Sequence, residues 1–368
     1  MKLLCVLNSG YSRVVDRIYV NKHTGIFLKQ LSQKSGNLSA FQQMVDDSRN
    51  SITDYNVLND NYNIEYVKKT NIKLFTYVKI VFKSIFLILK SSHIYIFYPG
   101  VSPKIFSFFS IMLRKKIGIY VRGEDGIDSK LSRLIFSKAK FVITISDGFT
   151  ENISVFNKNT FTVSPMIDFD VNDIIHDKNY SNKVIKKLLY VGRIEKAKGV
   201  FDLLEVASIL SKNENFNFIL DIVGDGEDLN HLNKAIKEYG LDNLINLHGN
   251  ISDKNILKKL YIDADLFVFL SHHEGFPRVL YESMISGTPV ATTYVGGIAS
   301  FMKDCSIELP VSNPEIVAGQ IIKFFDDYFK NIDIAKKGTL KIESFLNRNK
   351  CSHADQVINY FTEINNDK

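Results

Sequence analysis

Short apolar runs recur along the chain and are separated by polar loops and segments of helical periodicity. A continuous apolar run of about four to eight residues, bounded by turn residues, is typical of a parallel strand buried on both faces of a sheet. The pattern therefore predicts an α/β fold. The runs predicted as strands are Lys2 to Leu7, Ile94 to Tyr98, Ile117 to Val121, Phe141 to Ser146, Leu188 to Val191, Phe218 to Val223, Leu266 to Leu270 and Pro289 to Thr292.

One polar stretch divides this alternation into two halves. The residues from 168 to 182 are charged and show no periodicity, which is typical of a linker. With 368 residues the chain is long enough for two hydrophobic cores. The predicted domains are 1–170 and 184–350, joined by a linker at 171–183, and we expect a terminal helix at about 352–368 to pack back on the first domain.

The segment from Ala264 to Gly297 combines a strand, a loop and the start of a helix. The apolar run Leu266 to Leu270 is followed by a loop, Ser271 to Pro277, and then by a helical pattern that begins near Arg278 and stops at Gly287. The first N–H groups of a helix have no partner within it, so this junction forms an anion site. A diphosphate fits such a site.

Two glutamates flank the predicted anion site. Glu274 lies in the loop before the helix, and Glu282 lies eight positions later, in its first turns. Carboxylates repel a phosphate, so their useful partners are hydroxyl groups, which donate hydrogen bonds to them. A molecule with hydroxyls on both sides of a diphosphate is a nucleotide sugar. The structural alternative is a βαβ crossover that carries two surface glutamates.

The order of residues in this segment resembles the E-x7-E signature of retaining glycosyltransferases of family 4. That family has the GT-B fold, which consists of two Rossmann-like α/β domains facing a central cleft. A second stretch, Gly192 to Gly199, follows a predicted strand and resembles the phosphate-clamping loop of the family. The positions that carry the signature are Glu274-Gly275-Phe276-Pro277, Glu282, Gly287-Thr288-Pro289-Val290 and Gly296-Gly297.

The resemblance implies a role for each of these residues in the second, donor-binding domain. Glu274 would lie beside the transferred sugar, and Glu282 would bind the ribose hydroxyls. Arg193 and Lys198 would stabilise the leaving diphosphate and, with Glu274, form the catalytic set. The other donor-binding residues, mainly through their backbone N–H groups, would be Gly192, Gly275, Phe276, Pro277, Val279 and Leu280.

The resemblance implies no metal ion, and no cofactor apart from the nucleoside-diphosphate sugar as co-substrate. One motif argues the other way, because Asp263-Ala264-Asp265 has the D-x-D form used by metal-dependent glycosyltransferases. It lies at the entry of a strand, about 17 Å of extended chain from the predicted diphosphate loop. His272 and His273 are adjacent and so point apart, which is unsuited to a metal site.

The predicted acceptor site lies in the first domain, the acceptor-binding domain. The loop Arg122-Gly123-Glu124-Asp125 follows a predicted strand, where many family members have a histidine-glycine pair. By resemblance Arg122 would hold an anionic sugar or an acceptor phosphate, and Glu124 or Asp125 would contact an acceptor hydroxyl. Ordinary loop charges are the alternative. Gly10, in the loop after the first strand, completes the predicted acceptor-binding set.

Charge is distributed unevenly along the chain. Residues 1–180 contain 24 Lys and Arg against 15 Asp and Glu, a net charge of +9, whereas the remaining residues contain 22 against 25, a net charge of −3. This asymmetry favours an anionic partner for the first half, either a membrane surface or a phosphorylated substrate. The segment from Ile72 to Lys90 reads as an apolar helix on which Lys79, Lys83 and Lys90 fall within about 40° of one another. Such a helix is either buried with one solvated edge or lies on an anionic membrane.

The resemblance implies a retaining, metal-independent, hexosyltransferase-like enzyme that moves a sugar from a nucleotide-sugar donor to a glycan or lipid-linked acceptor. We expect it to act in bacterial surface polysaccharide synthesis, in the cytoplasm, with peripheral contact to the inner membrane through the basic first domain. The alternative is a non-catalytic nucleotide-sugar-binding subunit of a glycan-assembly complex, which the substitution at Arg122 leaves open. No nucleic-acid partner is predicted, because the basic residues form no nucleic-acid-binding motif. The cysteines, Cys5, Cys305 and Cys351, are scattered and indicate a reducing compartment.

Overall fold

The chain divides into two compact units that are interleaved in sequence. The first comprises Met1–Met166 together with Asn349–Lys368, and the second comprises Ile167–Arg348. No helix of the described residues is both long enough and apolar enough to span a bilayer. The computed structural model of the chain describes residues 1–8, 11–14, 17–45, 55–57, 60–123, 126–163, 166–348 and 350–364.

The first unit is built on a mostly parallel sheet. Its strand order is β10-β9-β8-β7-β1-β4, continued by β2, β3 and β5, and β6 also pairs with β4. Only β3 pairs in antiparallel fashion among the described strands, with β2 and with β5. The strands are β1 (Lys2–Val6), β2 (Tyr11–Val14), β3 (Arg17–Val20), β4 (Asn37–Val45), β5 (Tyr55–Asn56), β6 (Asn63–Lys68), β7 (His93–Tyr98), β8 (Lys116–Val121), β9 (Phe141–Thr144) and β10 (Thr160–Thr162).

Helices cover both faces of this sheet, which explains why its central strands are apolar throughout. Along β7 the side chains alternate between two hydrophobic clusters, with Tyr95 and Phe97 in one and Ile94 and Ile96 in the other. The helices are α1 (Lys22–Ser35), α2 (Lys73–Lys90), α3 (Val101–Met112), α4 (Lys130–Lys138) and α5 (Asp147–Ser154).

The helix α2 does not fit the interpretation of a buried helix with one solvated edge. Its large apolar side chains, among them Phe75, Phe82 and Phe86, are exposed. The side chains that it buries are Thr76, Ile80, Ser84, Leu87 and Ile88.

The second unit has an entirely parallel sheet in the order β13-β12-β11-β14-β15-β16. Counted along the chain, this order is third, second, first, fourth, fifth and sixth, which is the Rossmann arrangement. The strands are β11 (Ile185–Val191), β12 (Asn217–Val223), β13 (Ile245–Gly249), β14 (Leu266–Phe269), β15 (Val290–Thr293) and β16 (Ile307–Leu309). The helices are α6 (Val200–Ser211), α7 (Leu229–Glu238), α8 (Lys254–Asp263), α9 (Arg278–Ile285), α10 (Ile298–Met302), α11 (Pro314–Asp326), α12 (Tyr328–Asn331) and α13 (Asp333–Arg348).

The segment predicted as a linker, 171–183, belongs to the second unit. Within it, Lys178 Nζ donates hydrogen bonds to the carbonyl of Ala264 (2.7 Å) and to Thr288 Oγ1 (2.8 Å). Burial lowers the pKa of Lys178 to about 7. These contacts anchor the segment to the unit that it precedes, so the boundary in the structure lies at Met166, before the predicted linker.

The last helix, α14 (His353–Glu363), is part of the first unit. It packs against α1 and β8, and the ring nitrogen Nε2 of His353 lies 2.6 Å from the hydroxyl of Tyr95. Lys140 Nζ donates to the carbonyl of Phe361 at 2.7 Å. The first unit is therefore completed by residues that follow the whole of the second.

Candidate active site

The predicted donor-binding residues gather at one edge of the second sheet. The loop 192–199 follows β11 and the loop 270–277 follows β14, and these neighbouring strands flank the point where the strand order reverses. Ligands of open α/β sheets bind at the carboxyl ends of the strands at this point. The two loops are joined directly, because His272 N–H donates to the carbonyl of Ala197 at 3.0 Å.

Lys198 and Glu274 meet across these loops. The Nζ of Lys198 lies 2.6 Å from Oε1 of Glu274, with side-chain exposures of only 14% and 11%. Ser271 Oγ donates to the same oxygen at 3.0 Å. Within the described part of the chain both partners bind Oε1, which leaves Oε2 of Glu274 as an acceptor. The hydrogen bond of such a pair is charge-assisted, and removal of either partner leaves the other charge desolvated and uncompensated.

Arg193 lies at the start of the first loop and is more exposed. Its guanidinium donates to Oε1 of Glu195 at 2.7 Å, and 48% of its side chain is accessible. Beneath the loop, the hydroxyl of Tyr190 lies 2.9 Å from the carbonyl oxygen of Arg193 and 3.5 Å from that of Lys198. Burial raises the pKa of Tyr190, so this hydroxyl remains a donor. Tyr190 thus holds both cation-bearing residues through their backbone.

Glu282 lies on the inward side of α9 and is 9% exposed. Its Oε2 accepts a hydrogen bond from the hydroxyl of Tyr261 at 3.0 Å. Burial raises the pKa of Glu282, an effect that the charge of Arg278 and the hydrogen bond from Tyr261 partly offset. The structural alternative of two surface glutamates is therefore wrong, because both Glu274 and Glu282 are largely buried and hydrogen-bonded.

The backbone around the start of α9 has the expected helix geometry. Pro277 is the N-cap residue and Arg278 the first helical residue. The N–H of Leu280 donates to the carbonyl of Pro277 at 3.2 Å, so this group already has a partner within its own turn. The proposed contact of Val279 and Leu280 with a diphosphate stays a prediction.

The side chain of Phe276 is directed into the protein, so the predicted contact of this residue with the donor is left to its backbone. Its ring packs into an aromatic cluster, with centroids 4.5 Å from Tyr281 and 5.3 Å from Phe301. The neighbouring residue, Gly275, accepts a hydrogen bond at its carbonyl from the N–H of Gly297 (2.8 Å). The loop is consequently anchored by the Phe276 ring on one side and by the loop after β15 on the other.

Two glycines allow the loops to approach closely. Gly296 has φ of 58°, and a Cβ there would overlap the carbonyl oxygen of Glu274. Gly199 has φ of 70°, and a Cβ there would overlap the carbonyl oxygen of Leu270. Only glycine combines this backbone conformation with this proximity.

Gly192 follows β11 directly and lies close to the side chain of Tyr190. Its N–H donates to the carbonyl of Val223 on β12 at 3.0 Å, and a Cβ would lie 2.9 Å from the hydroxyl of Tyr190. The predicted role of Gly192 in donor binding is therefore compatible with its position at the sheet edge.

The D-x-D motif has protein partners. Asp265 is 4% exposed, and its carboxylate accepts hydrogen bonds from the backbone N–H of Lys187 (2.9 Å) and from Lys183 Nζ (3.4 Å). His272 Nε2 lies 2.7 Å from Asp202 Oδ2. Among the residues that the structure describes, no group of three or more His, Cys, Asp or Glu is arranged to hold a metal ion.

The predicted acceptor residues lie in the first unit. Arg122 directly follows β8, and its guanidinium lies over the rings of Phe97 (5.4 Å) and Tyr120 (6.0 Å). Its N–H donates to the carbonyl of Tyr98 at 2.9 Å, which keeps Arg122 at the carboxyl edge of the sheet. The other predicted acceptor-binding residues, Gly10, Glu124 and Asp125, lie outside the described residues.

The strand-order reversal of the first unit lies between β1 and β7. Asn8, which follows β1, donates from Nδ2 to the carbonyl of Pro99 at 3.1 Å, and Pro99 follows β7. This side-chain contact was not foreseen from the sequence. It joins the two strand ends where an open α/β sheet binds ligands.

Tyr190, Tyr261 and Ser271 are the residues of the second unit that the sequence pattern missed. All three donate hydrogen bonds to residues that it did identify: Tyr190 to Arg193 and Ser271 to Glu274, three positions along the chain, and Tyr261 of α8 to Glu282 of α9. A polar hydroxyl at the end of an apolar run, as in Ser271 after β14, is the only sequence signal for any of them.

Comparison with known proteins connects this unit to a described family. Residues 171–340 match the family model of group 1 glycosyl transferases. An uncharacterized glycosyltransferase of Methanocaldococcus jannaschii is 28% identical over 202 residues, which cover 51% of this chain and 51% of that protein. Mannosylfructose-phosphate synthase of Agrobacterium fabrum is 33% identical over 120 residues, which cover 31% of this chain and 26% of that protein. The chain thus spans about half, or less, of the length of these curated relatives.

Solved structures match over nearly the whole chain. HepE of Anabaena, in complex with UDP, matches with a TM-score of 0.66 at 15% identity, covering 97% of this chain and 100% of that one. At this identity the likeness shows the fold alone. The fold is that of GT-B proteins, with two Rossmann-like α/β domains and parallel sheets, which confirms the predicted fold class.

Proposed function

We propose that the protein is a glycosyltransferase that takes a sugar from a nucleoside-diphosphate donor bound by the second unit. The observation that carries the proposal is the Lys198–Glu274 pair, 2.6 Å apart at the strand-order reversal of a Rossmann sheet. The match of residues 171–340 to group 1 glycosyl transferases supports it. The assignment to family 4 rests on the E-x7-E signature of Glu274 and Glu282.

The Lys198–Glu274 pair places one positive and one negative side chain where the reaction develops charges of both signs. As the bond between the sugar and the diphosphate breaks, its electron pair passes to the diphosphate, and the sugar gains positive charge. Lys198 and Arg193 stabilise the growing negative charge, and the carboxylate of Glu274 stabilises the positive one. In the structure each cation already faces a carboxylate, so a diphosphate competes with Glu274 and Glu195 for them.

Glu282 and its tyrosine serve donor recognition in this proposal. A buried carboxylate is stable only with hydrogen-bond donors around it. Tyr261 supplies one donor, and the ribose hydroxyls of the nucleotide supply the others. The sugar itself binds near the N–H groups of Gly275 and Phe276, and the diphosphate near Val279 and Leu280.

We further propose that the transfer retains the anomeric configuration and needs no metal. The first statement rests on the resemblance to the retaining family. The second is supported by Lys198 and Arg193, whose positive charges meet the need that a metal ion meets elsewhere. The Asp265 carboxylate, a candidate metal ligand in the D-x-D motif, is engaged by Lys187 and Lys183.

The acceptor is proposed to be a glycan or a lipid-linked sugar, as in the assembly of bacterial surface polysaccharide. Arg122, at the carboxyl edge of the first sheet, would bind an anionic group of that acceptor. The net charge of +9 on residues 1–180 supports a cytoplasmic enzyme that contacts the inner face of the membrane.

The donor site is tested by thermal unfolding of the full chain with UDP, GDP, ADP and their common sugar conjugates. UDP is the first choice because the structural relative HepE is bound to it. A nucleotide present at about 100 times its Kd adds about 2.7 kcal/mol to the free energy of unfolding. We expect one nucleotide to raise the Tm of the wild type and to have less effect on Arg193→Ala.

Lys234→Ala is the matched control, because this exposed lysine of α7 is paired with Glu238 of the same helix and is not among the predicted donor-binding residues. Absence of any shift at millimolar nucleotide in the wild type contradicts the proposal. Transfer or hydrolysis of the sugar, followed by NMR of the product anomer with and without EDTA, then decides the stereochemistry and the metal requirement. Nucleotide binding without any turnover would favour the non-catalytic binding subunit.

A further inference from the structure

The outward faces of α2 and α3 form an unusually apolar surface on the first unit. We call it the α2–α3 face. On α2 it consists of Leu74, Phe75, Val78, Phe82, Phe86 and Leu89, all exposed, with Phe82 at 71%. On α3 it includes Val101, Phe108 and Met112, which are exposed as well. Large exposed apolar patches on folded domains mark interaction sites.

The distribution around α2 is inverted relative to an ordinary amphipathic helix. At about 100° per residue, the six exposed apolar side chains cover an arc of about 120°, and the buried residues cover another arc of about 120°. The buried arc contains Thr76 and Ser84, so the more apolar side of the helix is directed away from the core. Packing within the unit does not explain this sequence.

The two helices lie side by side on one face of the sheet. Both contribute buried residues, such as Ile80 and Phe106, to the same hydrophobic cluster, and they pack against each other. Their opposite sides are therefore directed outward together. The exposed apolar side chains run along the whole length of α2, so they can contact a flat surface together only if the helix axis is parallel to that surface.

Lysines border the apolar arc. Lys79, Lys83 and Lys90 span about 40° and lie in the gap of about 80° between its exposed and buried sectors. Lys83 is paired with Glu65 of β6 at 2.6 Å, whereas Lys90 Nζ lies 3.9 Å above the ring of Phe86. Neither α2 nor α3 contains an acidic residue.

We propose that the α2–α3 face docks on an anionic lipid bilayer, with its aromatic side chains at the level of the acyl chains and its lysines among the headgroups. Aromatic and aliphatic side chains beside lysines are the composition of helices that lie in a membrane interface. The absence of acidic residues from both helices is the complementarity that an anionic surface requires, and a second copy of this basic face would not supply it. The inference deepens the proposed membrane contact and rests on the proposed function for its biological purpose, but its test needs no sugar transfer.

A single tryptophan can report insertion, because the chain contains none. We expect emission from Phe82→Trp to shift to shorter wavelength with vesicles of equal parts phosphatidylglycerol and phosphatidylcholine, and to be quenched by brominated acyl chains. Phosphatidylcholine vesicles should give a much smaller shift. The matched control is Phe329→Trp, at a phenylalanine of α12 that is 63% exposed in the second unit, and its emission should not change.

Vesicle flotation of the full chain measures the contribution of the face. The double variant Phe82→Ser/Phe86→Ser should bind the anionic vesicles at least tenfold more weakly, whereas Phe329→Ser/Leu340→Ser should bind like the wild type. Lys79→Gln/Lys90→Gln should lower the affinity and flatten its salt dependence, and the matched pair Lys234→Gln/Lys237→Gln on α7 should not. Wild-type affinity of the double serine variant overturns the proposal.

Sedimentation measures the oligomeric state and so distinguishes a bilayer from a second copy of the chain as the partner of the α2–α3 face. A wild-type dimer that Phe82→Ser/Phe86→Ser converts to a monomer, without vesicle binding by the wild type, overturns the proposal in favour of self-association. The nucleotide-induced Tm shift of the double serine variant should equal that of the wild type. Vesicle binding without nucleotide binding supports the docking face and contradicts the donor site. Nucleotide binding without vesicle binding supports the donor site and overturns the docking face.

Discussion

Two opposing effects act on the protonation state of Glu282. The fold favours its neutral form, and the proposed ligand favours its charged form. Burial raises the pKa of this carboxyl, so between the ordinary value and the raised one the folded state holds more protons than the unfolded state. Its contribution to the free energy of unfolding therefore falls as the pH rises through that window. The ribose hydroxyls donate hydrogen bonds, which only an ionised carboxylate accepts at both oxygens.

We predict that nucleotide binding weakens as the pH is lowered from neutral through the pKa of Glu282, with a proton released on binding in that window. Glu282→Gln should remove this pH dependence, weaken binding about tenfold and raise the Tm of the free protein, because an amide pays no charge-desolvation cost. Isothermal titration calorimetry in buffers of different ionisation enthalpy, at several pH values, measures both affinity and proton release.

Tyr261→Phe is the informative companion variant. It removes the hydrogen bond that stabilises the charged carboxylate, so the pH dependence should persist and move to higher pH. A pH profile that is the same in the wild type and Glu282→Gln would contradict the assigned role of Glu282. The variants and the wild type are compared at each pH with the same nucleotide, so that the ionisation of its diphosphate affects all of them equally.

At the scale of elements, the loops after β11, β14 and β15 are held together by backbone contacts. Gly296 is central to this, since its Cα lies against the carbonyl of Glu274 and a Cβ would overlap that oxygen. Gly297 N–H holds the adjacent carbonyl of Gly275 at 2.8 Å. The position of Glu274 relative to Lys198 therefore depends on the loop after β15, which contains neither residue.

We predict that Gly296→Ala lowers turnover of the nucleotide sugar at least tenfold, because the Glu274 loop must move to admit the methyl group. The backbone conformation adds about 1 kcal/mol of destabilisation. Gly240→Ala is the matched control: Gly240 has φ of 67° and open space at its Cβ, so it should lose only the stability due to the backbone conformation, and no activity. Steady-state kinetics and Tm of both variants provide the measurement, and equal activities would show that the close approach is not required.

The sequence pattern predicted the elements of the site better than their contacts. The strand β14, the loop with Glu274 and the start of α9 at Arg278 follow from apolar runs, proline and glycine, which act locally. The bond from Tyr261 to Glu282 joins α8 to α9, and a contact between elements leaves no periodic signal in either one. Likewise, the pattern of α2 showed a narrow stripe of three lysines but could not show which of its apolar side chains the sheet covers.

At the scale of the whole molecule, the two units are similar in length but differ in how the chain builds them. The second unit is one continuous segment, Ile167–Arg348, whereas the first unit needs α14 from the end of the chain. The excess of positive charge lies in the first half, with the α2–α3 face, and the proposed donor residues lie in the second half. Membrane docking and donor binding are therefore assigned to separate hydrophobic cores.

This division predicts that residues 167–348, produced alone, fold and bind the nucleotide with a Kd close to that of the full chain. The hydrophobic cluster of the second unit runs from Phe169 to Phe345, so the fragment contains its whole core, including the segment anchored by Lys178. Far-UV circular dichroism, a cooperative thermal transition and the nucleotide-induced Tm shift measure the outcome, with Glu282→Gln in the fragment as the binding control. A folded fragment that fails to bind a nucleotide bound by the full chain would show that the donor site needs residues of the first unit. The assignment to the second sheet alone would then be wrong.

The same fragment lacks the α2–α3 face and should not float with anionic vesicles.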